Sequence, residues 1–101
     1  MELRFDRDVS GLDGAAPVLE DLPQGDLARE LAEETLGPLA VVDGRWAFSV
    51  DAEGLRLFVT GDGAAFTIAR APEADESAAT WAATRLHRAL GGKDSEWDSD
   101  R

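Results

Sequence analysis

Asp6, Asp8 and Ser10 stand at alternate positions of DRDVSGLDG (residues 6–14), and Gly11 follows where a cation-binding loop turns sharply. The cadence suits calcium, a hard cation held by oxygen ligands. An EF-hand loop takes ligands at its first, third, fifth, seventh, ninth and twelfth positions, with Gly at the sixth and a bidentate Glu at the twelfth. Counted from Asp6, the first, third, fifth and sixth positions fit. The eighth, ordinarily apolar, is Asp13, and the twelfth is Pro17, which has no side-chain oxygen. Four matches come cheaply in a chain with twelve aspartates. The segment therefore reads as a solvated acidic loop whose Asp and Ser side chains bond nearby backbone amides. Neither a metal nor a cofactor is expected.

Catalytic sets are hard to assemble from the rest. There is no cysteine, which excludes disulfides, thiolate zinc sites and cysteine nucleophiles. His87 is the single histidine; it falls beside Arg88 on the polar side of a helix, where an exposed position is expected. Carboxylate pairs such as Asp51 with Glu53, or Glu33 with Glu34, lie in a turn or on an outer helix face. Solvation there keeps their pKa values together, whereas acid–base work needs them driven apart. No G-x-S-x-G, phosphate-binding glycine loop or H-E-x-x-H occurs. A non-catalytic protein is expected, with an enzyme built on an unrecognised carboxylate site as the outside alternative.

Side chains suited to contact stand out more. Trp81 falls at the margin of a helical apolar stripe, beside Arg85 and Arg88; Trp and Arg are enriched in interface hot spots. Trp97 sits in KDSEWDSDR with Glu96 and Asp98 on either side, the pattern of a short docking motif whose aromatic enters a pocket while its acids meet a basic rim. Glu30, Glu33 and Glu34 share the outer side of an earlier helix. With the acids of residues 6–13 they could form a row imitating phosphates.

These residues need elements to position them. MELRF alternates Leu3 and Phe5 with charged neighbours, a short strand. Residues 6–20, punctuated by Gly11, Gly14 and Pro17, read as a loop. In DLPQGDLARELAEETLGP (21–38), Asp21 and Gln24 resemble a capping box, Asp26 being the alternative start. Leu27, Ala28, Leu31, Thr35 and Leu36 recur at helical spacing, and Gly37-Pro38 is a stop. A meander follows: LAVV (39–42), RWAFSV (45–50), LRLFVT (55–60) and AAFTIARA (64–71), with Asp43-Gly44 as a two-residue hairpin turn. Phe58 points to the side opposite Leu57 and Val59, so the second sheet face must be partly covered. Trp46, beside Phe48, reads as core or sheet-edge packing. Residues 73–90 make a second helix, with a buried stripe of Ala78, Ala79, Ala82, Leu86, Ala89 and Leu90, acids early and Arg85, His87 and Arg88 late, in the sense of the helix dipole.

The fold expected is α+β: a two-layer sandwich in which an antiparallel meander of three to four strands is packed by two helices, in the order β-α-β-β-β-(β)-α. Residues 1–92 form one domain and 93–101 an acidic flexible tail. The α-β-β-β-α order is similar to that of double-stranded-RNA-binding domains, but EADES stands where they carry a lysine cluster, so RNA binding is not expected.

The net charge of −11 over 101 residues argues against direct nucleic-acid binding and favours basic partners. No apolar run is long enough to span a bilayer and no secretory leader is legible, so a soluble, cytoplasmic protein without membrane contact is expected. The function expected is a small acidic domain that binds another protein through a basic surface and modulates it, as chaperones, immunity proteins, antagonists and adaptors do. The alternative from another class is a nucleic-acid mimic that inhibits a DNA- or RNA-binding protein.

Overall fold

The computed structural model describes residues 3–22, 25–52, 54–62 and 65–89. The chain begins with β1 (Leu3–Asp6), then a single 3-10 turn at Leu12–Gly14, then β2 (Ala16–Leu22). Helix α1 (Gly25–Leu36) ends at Gly37, whose φ of +80° suits glycine and whose N–H donates to the Glu33 carbonyl at 2.8 Å. Next come β3 (Ala40–Val42), β4 (Arg45–Ala52), β5 (Leu55–Asp62) and β6 (Ala65–Arg70), and finally α2 (Glu76–Ala89). Asp43 and Gly44, both at positive φ, close the β3–β4 hairpin as the Asp-Gly pair requires.

The result is an α+β fold: one antiparallel sheet of six strands, with two helices packed on it. The strands run β1-β4-β5-β6-β2. β3 shares β1's edge of β4, pairing with Arg45–Ala47 while β1 pairs with Ser49–Ala52. The meander has the four strands expected at most, β3 to β6, but the sheet gains β2 and the order departs from the expected one, because residues 16–22 are a strand rather than a loop. Two register shifts, between Pro17 and Leu19 and between Leu19 and Leu22, erase the alternation by which a strand is recognised. Pro17 is tolerated because β2 is the outermost strand beside β6. The expected capping box is likewise displaced: Asp21 belongs to β2, and α1 starts at Gly25.

Alternation assigns the faces. Phe48, Val50 and Ala52 of β4, Leu57 and Val59 of β5, and Phe66 and Ile68 of β6 form one core with Ala28 and Ala32 of α1 and Ala79, Ala82, Ala83 and Leu86 of α2. Both helices therefore lie on the same face. Burying each large sheet side chain is worth about 1.5–3 kcal/mol, so the strands carry most of the core's stabilisation while the alanines set how closely the helices approach. α2 is capped by Asp75, whose Oδ2 accepts the Ala78 N–H at 2.9 Å, and is tied to β6 by Arg70, which donates to the Ala74 carbonyl at 2.9 Å.

The opposite face carries Ser49, Arg56, Phe58 and Thr60. β1 and β2 lie at opposite edges of the sheet, so the segment joining them (residues 7–15) crosses this face. Its Asp8 carbonyl accepts from Ser49 Oγ at 2.7 Å, Gly11 lies over the Phe58 ring, and Gly14 reaches Pro72 beyond β6. Phe58 and Ser49 are buried beneath it, as the sequence expectation of a covered second face requires.

Candidate binding face

Of the contact candidates, Trp81 is the most informative. The buried stripe of α2 is Ala79, Ala82, Ala83 and Leu86, and Ala78 is left at its margin. That stripe is turned from the expected one by the inclusion of Ala83. At 3.6 residues per turn Trp81 then stands roughly 150° around from its centre, on the outer side of the helix rather than at the stripe's edge. The indole is 47% exposed. Arg85, one turn on and itself exposed, places its guanidinium carbon 5.0 Å from the ring centroid, a cation–π contact.

On α1, Ala28 and Ala32 face the sheet, and Glu30, Glu33 and Glu34 are exposed on the other side. Leu27, expected in the buried stripe, is 37% exposed, and Thr35 is exposed as well. The two helices cover the same sheet face, and their outer sides differ in character: acidic on α1, aromatic and guanidinium-bearing on α2. The acids of residues 6–13 are not part of this side. They lie with the crossing segment on the opposite face, so they and the α1 glutamates do not form a single row.

Within the crossing segment the carboxylates bond to the backbone, as expected of an Asx-rich turn. Asp6 Oδ1 accepts the Asp8 N–H at 2.9 Å; Asp8 Oδ1 accepts the Ser10 N–H at 2.9 Å and its hydroxyl at 2.7 Å. The Ser10 hydroxyl, then the Ser10 N–H, and more weakly the Arg56 charge, hold the Asp8 carboxyl below its ordinary value. Arg56 pairs with Asp51 through Nε at 3.0 Å and Nη2 at 3.2 Å, and its Nη1 reaches Ser49 Oγ at 3.2 Å. The alternate-position motif thus shapes a turn and anchors it to β4 and β5.

Two further places were candidates for chemistry. His87 is half-buried rather than exposed, its ring 6.3 Å from that of Phe66, because the C-terminal end of α2 lies over β6. A shallow cleft of about 440 Å³ beside the crossing segment is lined by Leu12, Asp13, Val42, Asp43, Arg45 and Thr60; its two carboxylates are exposed and solvated. Among the described residues no group of three His, Asp or Glu side chains converges as metal ligands would. Among them, too, no helix is long and apolar enough to cross a membrane. Glu96, Trp97 and Asp98 lie outside the described residues.

Comparison with protein families, with characterised proteins and with solved structures finds no match to this chain.

Proposed function

We propose that the protein is a small acidic, non-catalytic domain that binds another protein and modulates it, with the outer surface of the two helices as its contact face. The observation that supports this reading is Trp81, a large aromatic on the outer side of α2 with Arg85 across its ring. An indole left in water forfeits a large apolar area that a partner's surface recovers. Glu30, Glu33 and Glu34 on the outer side of α1 suit a partner that brings basic side chains. The remaining parts of the proposal follow the sequence: a cytoplasmic two-layer body over residues 1–92, and an acidic tail over 93–101 in which Trp97, flanked by Glu96 and Asp98, adds a second anchor.

The test is affinity capture from native lysate with the full chain, run beside Trp81→Ala and a Glu30→Gln/Glu33→Gln/Glu34→Gln triple variant. A partner retained by the parent chain and lost by about tenfold or more with Trp81→Ala, as hot-spot truncation produces, supports the reading. Partners captured equally by all three proteins overturn it. A captured nucleic-acid-binding protein that is insensitive to Trp81→Ala but released by salt would assign the α1 glutamates to mimicry instead.

A further inference from the structure

α1 leaves the end of the sheet where Phe66 sits, because β2 finishes opposite Phe66. α2 arrives at that same end, where His87 meets Phe66. Both helices lie on one sheet face, α1 against β1, β5 and β6 and α2 against β2, β5 and β6, one outer side acidic and the other bearing Trp81 and Arg85. Such a surface is complementary to itself. A twofold axis that lays each α1 over the other copy's α2 makes every favourable contact twice.

We infer that the helix surface pairs with that of a second copy of this chain, Trp81 and Arg85 of each copy seated against Glu30, Glu33 and Glu34 of the other. The inference rests on reading this surface as a binding face and names its occupant. The charge complementarity is on the chain itself. Arg85 makes no ion pair with a carboxylate among the described residues, its guanidinium resting on Trp81 instead, and the α1 glutamates face outward. The whole-chain charge of −11 opposes association at long range, but at ~0.15 M salt the Debye length is about 8 Å, so distant charges on the two copies are largely screened.

The experiment is analytical ultracentrifugation of the full chain at ~0.15 M salt, from about 1 to 500 μM, with Arg85→Glu, Glu30→Arg and the double reversal Arg85→Glu/Glu30→Arg. A second variant, Trp81→Ala, tests the aromatic contact without changing charge, and circular dichroism melts confirm that each protein folds. The parent chain is expected to dimerise within this range. Each single reversal and Trp81→Ala should weaken the dimer by about tenfold or more, and the double reversal should return it to within about threefold of the parent. A chain that is monomeric throughout overturns the inference, as does a dimer indifferent to the single reversals or a double reversal no stronger than the singles. A monomeric chain that still loses its captured partner on Trp81→Ala would overturn the self-pairing alone and leave the binding face standing.

Discussion

Trp46 lies flat against Gly61 on the neighbouring strand: a β-carbon at Gly61 would fall inside the indole ring. The same indole stacks on Phe48, with ring centroids 6.0 Å apart and planes 12° from parallel, and Phe48 stacks in turn on Phe5 at 5.5 Å. Glycine is required at residue 61 by space, since the backbone there is ordinary extended strand. Gly61→Ala must lift the indole and disturb the row behind it. Overpacking of this kind costs about 1–3 kcal/mol, read as a lowered urea midpoint with an unchanged slope. A variant as stable as the parent would mean that Trp46 does not rest there.

Ser49 is the buried anchor of the crossing segment. Ser49→Ala removes the close donor to the Asp8 carbonyl and leaves it only the longer contact from Arg56 Nη1 at 3.4 Å, at a cost of about 1–1.5 kcal/mol. Asp51→Asn breaks the Asp51–Arg56 pair at partly exposed positions, where such pairs contribute under about 1 kcal/mol. The expected order of destabilisation in chemical unfolding is therefore Ser49→Ala before Asp51→Asn. The reverse order would mean that the ion pair, and not the hydroxyl, holds the segment down.

Asp8 supplies a pH dependence of known sign. Its folded pKa is depressed below that of an unfolded aspartate, near ~3.9, so its stabilisation is fully present above that range and is lost as pH falls through the lower folded value. Asp8→Asn should lower the melting temperature most at about pH 5 and above, and the gap to the parent should close as the pH drops below about 4. A gap that stays constant through that range would show that the Ser10 hydrogen bonds do not depend on the charge of Asp8.

The end of β6 and the start of α2 can be tested at one residue. Asp75→Ala removes the carboxylate that accepts the Ala78 N–H and should cost about 1 kcal/mol, whereas Asp75→Ser retains a capping oxygen and should recover most of it. Equal losses for the two variants would rule out capping as the source.

The net charge of −11 predicts a salt response for the whole chain. Raising salt from ~10 mM to ~1 M shortens the Debye length from about 30 to about 3 Å, which relieves self-repulsion, so the melting temperature should rise. A flat response would place the acidic groups too far apart, or too well paired, for repulsion to matter.

What could be read in advance was whatever local chemistry decides. Asp43-Gly44 specifies its turn by the positive φ that both residues adopt, and Gly37-Pro38 ends α1 because Gly accepts a left-handed backbone. Leu57, Phe58 and Val59 announced a sheet buried on both sides, since alternation sends Phe58 to the face away from its neighbours. β2 was illegible for the converse reason. Its two register shifts break the period, and Pro17 and Glu20 resemble loop residues until β6 is known to lie alongside. The contact face was legible only in part. The residue types of Trp81 and the α1 glutamates marked them, but whether Trp81 capped the core or faced outward turned on which alanine, Ala78 or Ala83, met the sheet, and composition does not distinguish two alanines. The half-burial of His87 depends on where α2 ends over β6, which is a tertiary relation.

The crossing of residues 7–15 from one sheet edge to the other has a consequence for the order in which the chain folds. β1 and β2 are the first strands made, yet their partners come far later: Leu3 pairs with Ala52 and Ala16 with Arg70, while β4, β5 and β6 join through short hairpins. Closing a short loop is faster and entropically cheaper than closing a long one. The hairpins should therefore assemble first, and β1 and β2 should then clasp both margins of a sheet already in place. Kinetic substitutions would read this directly: Val59→Ala and Ile68→Ala should slow refolding, and Leu3→Ala and Leu19→Ala should chiefly hasten unfolding. On a ribosome, β1 can pair once β4 has emerged but β2 must wait for β6, and only then does the second sheet face, with Phe58 and Ser49 on it, leave the solvent.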